Sequence, residues 1–303
     1  MILAAIDIGS NAARLLITEV VSAPGKKTQF NKLNLFRIPL RLGFDVFEHK
    51  IIPPEKVTMM HDTMMAFHHL MKTYRVQAYK ACATSAMRDA VNAPEIIQSI
   101  HAHTGILIEV ISGDMEANLI YENHIAENMT TDKGYLYIDV GGGSTELSFF
   151  NNGRLFSKRS FNIGTIRLLQ RSISDSAWDE MKDHIKEITR FQQHVIAIGS
   201  GGNINKIFSL SKKKEGKPLT IELLREYYRE LENVSIEERI SRYNLKADRA
   251  DVIVPALSIY INVMRWAGAD EIFVPKIGLS DGLIQNLWAG IQSNKQPSNI
   301  TQA

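Results

Sequence analysis

An aspartate followed by a short turn of glycine and small polar residues occurs twice in this chain, about 130 residues apart. The first copy runs Asp7, Ile8, Gly9, Ser10, Asn11, and the second runs Asp139, Val140, Gly141, Gly142, Gly143, Ser144, Thr145, Glu146. Glycine lets a turn adopt positive φ and brings backbone N–H groups close to a ligand, so each turn can cradle phosphate oxygens. A strand-end aspartate supplies the hard oxygen that a magnesium ion or its bound water requires. Asp7, Asp139 and Glu146 together place three acids at the rims of the two turns, a set suited to one ion held largely through water. A single copy would read as an ordinary hairpin turn. Two copies with Asp and Gly at matching places favour phosphate handling.

Three further features suit the same chemistry. Glu116 follows a strand and Ser112-Gly113-Asp114, where a carboxylate at the edge of an open α/β sheet can hold a water; equally, it could cap a helix or complement its dipole. Arg88 follows Thr84-Ser85-Ala86-Met87, and its guanidinium could brace a phosphoryl group and stabilise developing charge. Gly199-Ser200-Gly201-Gly202-Asn203 lies between a strand and a helix, so Gly201 and Gly202 are candidate anion contacts. The sequence contains neither G-x-x-x-x-G-K-[ST] nor G-x-G-x-x-G, which argues against a Walker-type NTPase and a Rossmann dehydrogenase. One cysteine and no H-E-x-x-H argue against zinc.

The elements that must carry these residues alternate. A strand–turn–strand hairpin begins each half. The first is followed by a strand at Arg37–Leu42, a helix from Pro53 to about Lys72, and a strand at Val76–Ala81. A helix from Pro94 and a strand at Ile106–Ile111 complete that half. Met60, Met64, Phe67, His68 and Met71 recur at helical spacing, which reads as a core face. A helix over Asp114–Asn128 leads to the second hairpin. Then come a strand at Arg154–Arg159, helices from about Gly164 and Asp175, and a strand at Val195–Ile198. Helices follow to about Ala267, then a strand at Glu271–Val274, a closing helix and a fraying tail from Ser293. Strands alternating with helices predict a largely parallel, covered sheet. The repeat divides the chain into lobes at 1–123 and 124–303, with the last helix, about 280–292, packing back on the first.

With 303 residues, 45% hydrophobic and 22% charged, the chain can bury two cores. A net charge of +2 does not point to nucleic acid. Lys212, Lys213, Lys214 and Lys217 read as a solvated loop, unless a polyanionic substrate engages them. The absence of an apolar run near 20 residues, with one cysteine and no basic leader, predicts a cytoplasmic protein without membrane contact.

At these residues the chain resembles the exopolyphosphatase/guanosine pentaphosphate phosphohydrolase family of the sugar kinase, Hsp70 and actin superfamily. The resemblance rests on Asp7–Asn11 with Arg14, Ala83–Ala90, Ile111-Ser112-Gly113 with Glu116-Ala117, and Asp139–Leu147. Gly164 with Arg167-Leu168 and Arg249–Ile253 extend it. It implies a duplicated, ribonuclease H-like, actin-like α/β fold with two lobes and an interdomain cleft. It also implies hydrolysis of a terminal phosphoanhydride of inorganic polyphosphate or guanosine pentaphosphate with Mg2+ or Mn2+. The catalytic glutamate then maps to Glu116, the metal and phosphate acids to Asp139 and Glu146, and the bracing arginine to Arg88. Met115 stands where the family usually has glutamate and Asn118 where it has arginine. A homodimer is an expectation by analogy with other two-lobed chains. A small-molecule kinase of the same superfamily, or a non-catalytic sensor of guanosine polyphosphates or polyphosphate, would share the phosphate turns.

Overall fold

The computed structural model describes residues 1–23, 25–121, 133–275 and 278–293. The chain divides into two compact units, Met1–Ser112 with Leu279–Ala303, and Gly113–Gly278. The boundary expected at 123/124, residues 122–128 of the expected helix and the tail beyond Ser293 lie outside the described residues.

In the first unit, β1 (Ile2–Ile8) turns through residues 9–12 into β2 (Ala13–Val21), and β3 (Gln29–Ile38) follows antiparallel. Helices α1 (Leu42–His49) and α2 (Pro54–Thr73) precede β4 (Ala78–Ala83). Helices α3 (Ser85–Asp89) and α4 (Ala93–Thr104) precede β5 (Ile108–Val110). The sheet order is β3-β2-β1-β4-β5, with β4 and β5 parallel to β1. α2 opens on proline, which a first turn tolerates, and buries Met60, Met64, Phe67 and Met71. The last helix, α13 (Leu279–Ser293), packs on β1, β2 and β4, with Lys80 Nζ donating to Asn286 Oδ1 at 3.1 Å.

The second unit opens with α5 (Gly113–Tyr121) and then repeats the sheet. Its strands are β6 (Gly134–Val140), β7 (Thr145–Asn151), β8 (Arg154–Phe161), β9 (Val195–Ser200), β10 (Leu219–Thr220) and β11 (Glu271–Phe273). Their order is β8-β7-β6-β9-β11-β10. Omitting β10, this is the first unit's order with the same mixture of parallel and antiparallel neighbours. The duplication reaches irregularities. The β2–β3 register slips between Ile17 and Thr18, and the β7–β8 register slips at the matching place, between Phe149 and Phe150. Helices α6 (Thr165–Leu169) and α7 (Asp175–Thr189) follow β8, and α8 (Gly202–Leu210) follows β9. Helices α9 (Ile221–Glu232), α10 (Ile236–Tyr243), α11 (Ala247–Ala250) and α12 (Ile253–Ala267) lead to β11. α10 starts with a reciprocal capping box, Ser235 with Glu238. The core gathers Leu136, Ile138, Phe149, Met181, Ile204 and Tyr260 from both sheet and helices.

The strand expected at Arg37–Leu42 is corrected by the structure. The strand runs from Gln29 to Ile38, because β2 begins at Ala13 and Ile38 is paired with it, leaving no ladder partner further on. Pro39 brings no N–H, and Arg41, at φ 54°, turns the chain into α1. β3 carries Phe30, Leu33, Leu35, Phe36 and Ile38 without a sustained period of two, and most of it is exposed, so no alternation marks it as a strand.

Candidate active site

Both hairpin turns are built alike. Gly9 N donates to Ala12 O at 3.0 Å, and Gly141 N donates to Ser144 O at 2.9 Å. In each unit the helix after the third strand then holds the turn's carbonyls. Arg41 N and Gly43 N reach Asn11 O and Ser10 O at 2.9 and 2.8 Å. Thr165 N and Ile166 N reach Gly141 O and Gly142 O at 3.0 and 2.9 Å, and Arg167 Nε reaches Gly143 O at 2.8 Å. A turn whose carbonyls are drawn to a neighbouring helix presents its N–H side elsewhere, which is the polarity a phosphate requires.

Gly164 makes the second contact feasible. A Cβ there would fall 2.5 Å from the carbonyl carbons of both Gly142 and Gly143, so α6 could not seat on the turn with a side chain at this place. Thr145, expected as a phosphate contact, gives its hydroxyl to Ile163 O at 2.6 Å and so braces the same junction. In the first unit, Ser10 and Ser85 share a hydroxyl hydrogen bond of 2.7 Å, which ties the turn to α3. Arg88, on α3, donates from Nη1 to Ile111 O at 2.8 Å, and this bond orients the guanidinium.

The two units diverge in charge across their central strands. Asp7 on β1 faces Arg14 on β2, with Arg14 Nη1 donating to Asp7 Oδ2 at 2.7 Å. Arg37 and Cys82 continue that row on β3 and β4. The matching row in the second unit is Ser160, Glu146, Asp139 and Ser200. An acid therefore stands opposite an acid where the first unit has an ion pair. α5 adds Glu116, and one carboxylate oxygen from each of Glu116, Asp139 and Glu146 lies within 4.8 Å of the others. Glu116 thus joins Asp139 and Glu146 within the second unit, and within the first Arg14 engages Asp7.

Glu116 and Glu146 are 8% and 3% exposed, and like charges opposed across strands are destabilising. Buried charges are paired or coordinate metal ions, and these three carboxylates could hold one. Gly201, between β9 and α8, closes the cluster. Its φ is 108°, and a Cβ built on it would lie 3.1 Å from Asp139 Oδ1. Gly202 then begins α8. Tyr260 on α12 donates its buried hydroxyl to Ser200 O, beside Gly201. Burial first, and then the charge of Asp139, push that hydroxyl well above its usual 10, so it keeps its proton and acts as a donor.

Sequence reading had not singled out Ser160 or Tyr260. Neither belongs to a motif, and only strand register and helix packing bring them to the acids. Gly113 and Gly164 are legible in the sequence as the turn before Glu116 and the start of a helix, but the close approaches that require glycine there come from the fold.

Among described residues no helix is long and apolar enough to cross a membrane. The model of the Ppx/GppA phosphatase family matches residues 25–289. A bifunctional 3-dehydroquinate synthase/phosphatase from Fusobacterium nucleatum is 26% identical over 96% of this chain, which spans only 46% of that protein. An exopolyphosphatase from Cytophaga hutchinsonii superposes with a TM-score of 0.80 at 23% identity, covering 96% of this chain and 98% of that one. An Aquifex aeolicus member of the Ppx/GppA family gives 0.73 at 22%, covering 98% and 99%. Two mixed sheets with flanking helices, in the order repeated here, make this the actin-like two-domain fold. The chain belongs to the Ppx/GppA phosphatase family.

Proposed function

We propose that the chain is a phosphoanhydride hydrolase that releases terminal orthophosphate from inorganic polyphosphate, guanosine pentaphosphate or both. The observation that carries this reading is the convergence of Glu116, Asp139 and Glu146 beside a turn whose carbonyls are held by α6. A kinase needs a base facing an acceptor hydroxyl. Here the acids gather beside the phosphate turn, and water is the acceptor that such an arrangement suits.

In this reading Glu116 orients the attacking water and takes its proton, as general bases do at a gain of about 10²–10⁴ in rate. The water oxygen forms a bond to the terminal phosphorus, the bond to the bridging oxygen breaks, and the shortened chain leaves with that oxygen. Asp139 and Glu146 would hold one divalent ion, Mg2+ or Mn2+, which when bound neutralises charge on the phosphoryl oxygens. The turn from Gly141 to Ser144 is assigned to phosphate contacts in the second unit through the N–H groups of Gly142, Gly143 and Ser144, since that of Gly141 is taken by Ser144 O, together with those of Gly201 and Gly202. The turn that Gly9 opens carries the same assignment in the first through Ser10 and Asn11, because Gly9 N is taken by Ala12 O, and Arg14 and Arg88 join it on the chemistry of guanidinium groups. Catalysis is then mostly positioning and electrostatic stabilisation.

The test is orthophosphate release from long polyphosphate, short polyphosphate, guanosine pentaphosphate and ATP, each with Mg2+ and with Mn2+. Release from one of the first three, lost in Glu116→Gln, is the expected result. Phosphate transfer from ATP to a small alcohol would replace the reading with a kinase. Ligand-dependent melting without release would replace it with a sensor.

A further inference from the structure

We infer that Ser160 is a positioning residue: it holds Glu146 in the acidic cluster and thereby sets the affinity for the divalent ion. The inference rests on the metal-assisted reading above and names a residue that this reading does not require.

Ser160 stands on β8 directly opposite Glu146, and its Oγ donates to Glu146 Oε1 at 2.9 Å. A glutamate on a strand has three side-chain torsions, and repulsion from Asp139 across the ladder would turn its carboxylate away. A hydrogen bond to the ionised oxygen opposes that rotation and is stronger than a neutral one. One oxygen is held, and the carboxylate plane is held with it.

The same serine touches the element that carries the third acid. α5 begins at Gly113, where a built Cβ would fall 2.5 Å from Ser160 Cβ and 3.7 Å from Glu146 Oε1. The helix start is therefore seated on Ser160, and Glu116 lies in its first turn. One side chain thus contacts a candidate ligand and the backbone that places another.

Strand pairing alone does not demand a serine here. In the first unit the matching place in the row is Arg37, in a ladder of the same topology and with the same register slip. The hydroxyl occurs in the unit with opposed acids and is absent from the row in which an arginine already neutralises the aspartate.

The experiment measures Mn2+ binding to the full chain without substrate, by calorimetry and by the spin-resonance signal of free Mn2+. Wild type, Ser160→Ala and Ser160→Cys are compared, and folding is checked by thermal melting in chelator. Ser160→Ala is expected to bind Mn2+ about 10- to 100-fold more weakly, the usual cost of removing a partner of a metal ligand. Ser160→Cys, a weaker donor, is expected to fall between, and it decides the matter if the alanine variant does not fold. The Mn2+ concentration for half-maximal turnover should rise equally, with kcat restored at saturating metal. Unchanged Mn2+ affinity in a folded variant overturns the inference, as does lost turnover that no metal concentration restores. Wild-type protein that binds Mn2+ but releases no phosphate would sink the hydrolase reading and leave the role of Ser160 intact. Wild-type protein that binds no Mn2+ ends the inference even if phosphate is released.

Discussion

Asp139 and Glu146 face each other directly across β6 and β7, at the place where the first unit sets Asp7 against Arg14. One duplicated frame therefore carries a neutral pair in one copy and two like charges in the other, with Glu116 adding a third. The second row, with its excess of negative charge, suits a cation. This single difference accounts for a chain with two similar turns and one three-acid cluster among its described residues.

Loss of the Glu116 carboxylate separates chemistry from binding. Glu116→Gln keeps the shape and one acceptor oxygen but cannot accept the proton, so kcat should fall about 10²–10⁴-fold with little change in KM. Steady-state orthophosphate release across polyphosphate concentrations checks both parameters.

Relief of the opposed charges should be visible without substrate. Glu146→Gln removes one member of the repulsive row, and it is expected to melt higher than wild type in chelator. Metal should reverse that order. At an ion concentration a hundredfold above Kd, wild type gains about 2.7 kcal/mol of stability, and the variant should lose most of that gain. Calorimetric melts with and without Mg2+ measure both effects.

Gly164→Ala tests the seat of α6 on the phosphate turn. The added methyl would meet carbonyl carbons of Gly142 and Gly143, which are backbone and cannot swing aside. Overpacking of this kind costs about 1–3 kcal/mol, so a lower denaturant midpoint is expected, together with a raised KM for polyphosphate as the turn shifts. Urea unfolding and kinetics on the same preparation report the pair of changes.

Tyr260→Phe deletes the donor to Ser200 O while keeping the ring in the core of the second unit. The carbonyl then loses a buried partner, at a cost of about 1–3 kcal/mol. Since Gly201 lies beside both Ser200 and Asp139, turnover should also fall, and by less than in Glu116→Gln. Denaturant melts and phosphate release give the two numbers. A pH profile should show no titration of this hydroxyl in the working range, because burial and the Asp139 charge keep its proton on.

Local chemistry in the chain was enough to mark Asp139, Glu146 and the glycines beside them, because turn formation and acid placement depend on residues close in sequence. It also marked most strands and helices, since apolar periodicity is a local signal. The edge strand β3 and helix α1 escaped it. β3 spaces its apolar residues, Phe30, Leu33, Leu35, Phe36 and Ile38, without a sustained period of two, and α1 is started by a left-handed Arg41 that no helix signal announces. Four relationships needed the folded chain: Arg14 on Asp7, Ser160 on Glu146, Tyr260 on Ser200, and Glu116 with the paired acids of the second unit. Each joins residues on different elements, so it depends on strand register and on how helices seat against the sheet. Those are set by packing over long stretches of chain, which the spacing of a motif does not encode.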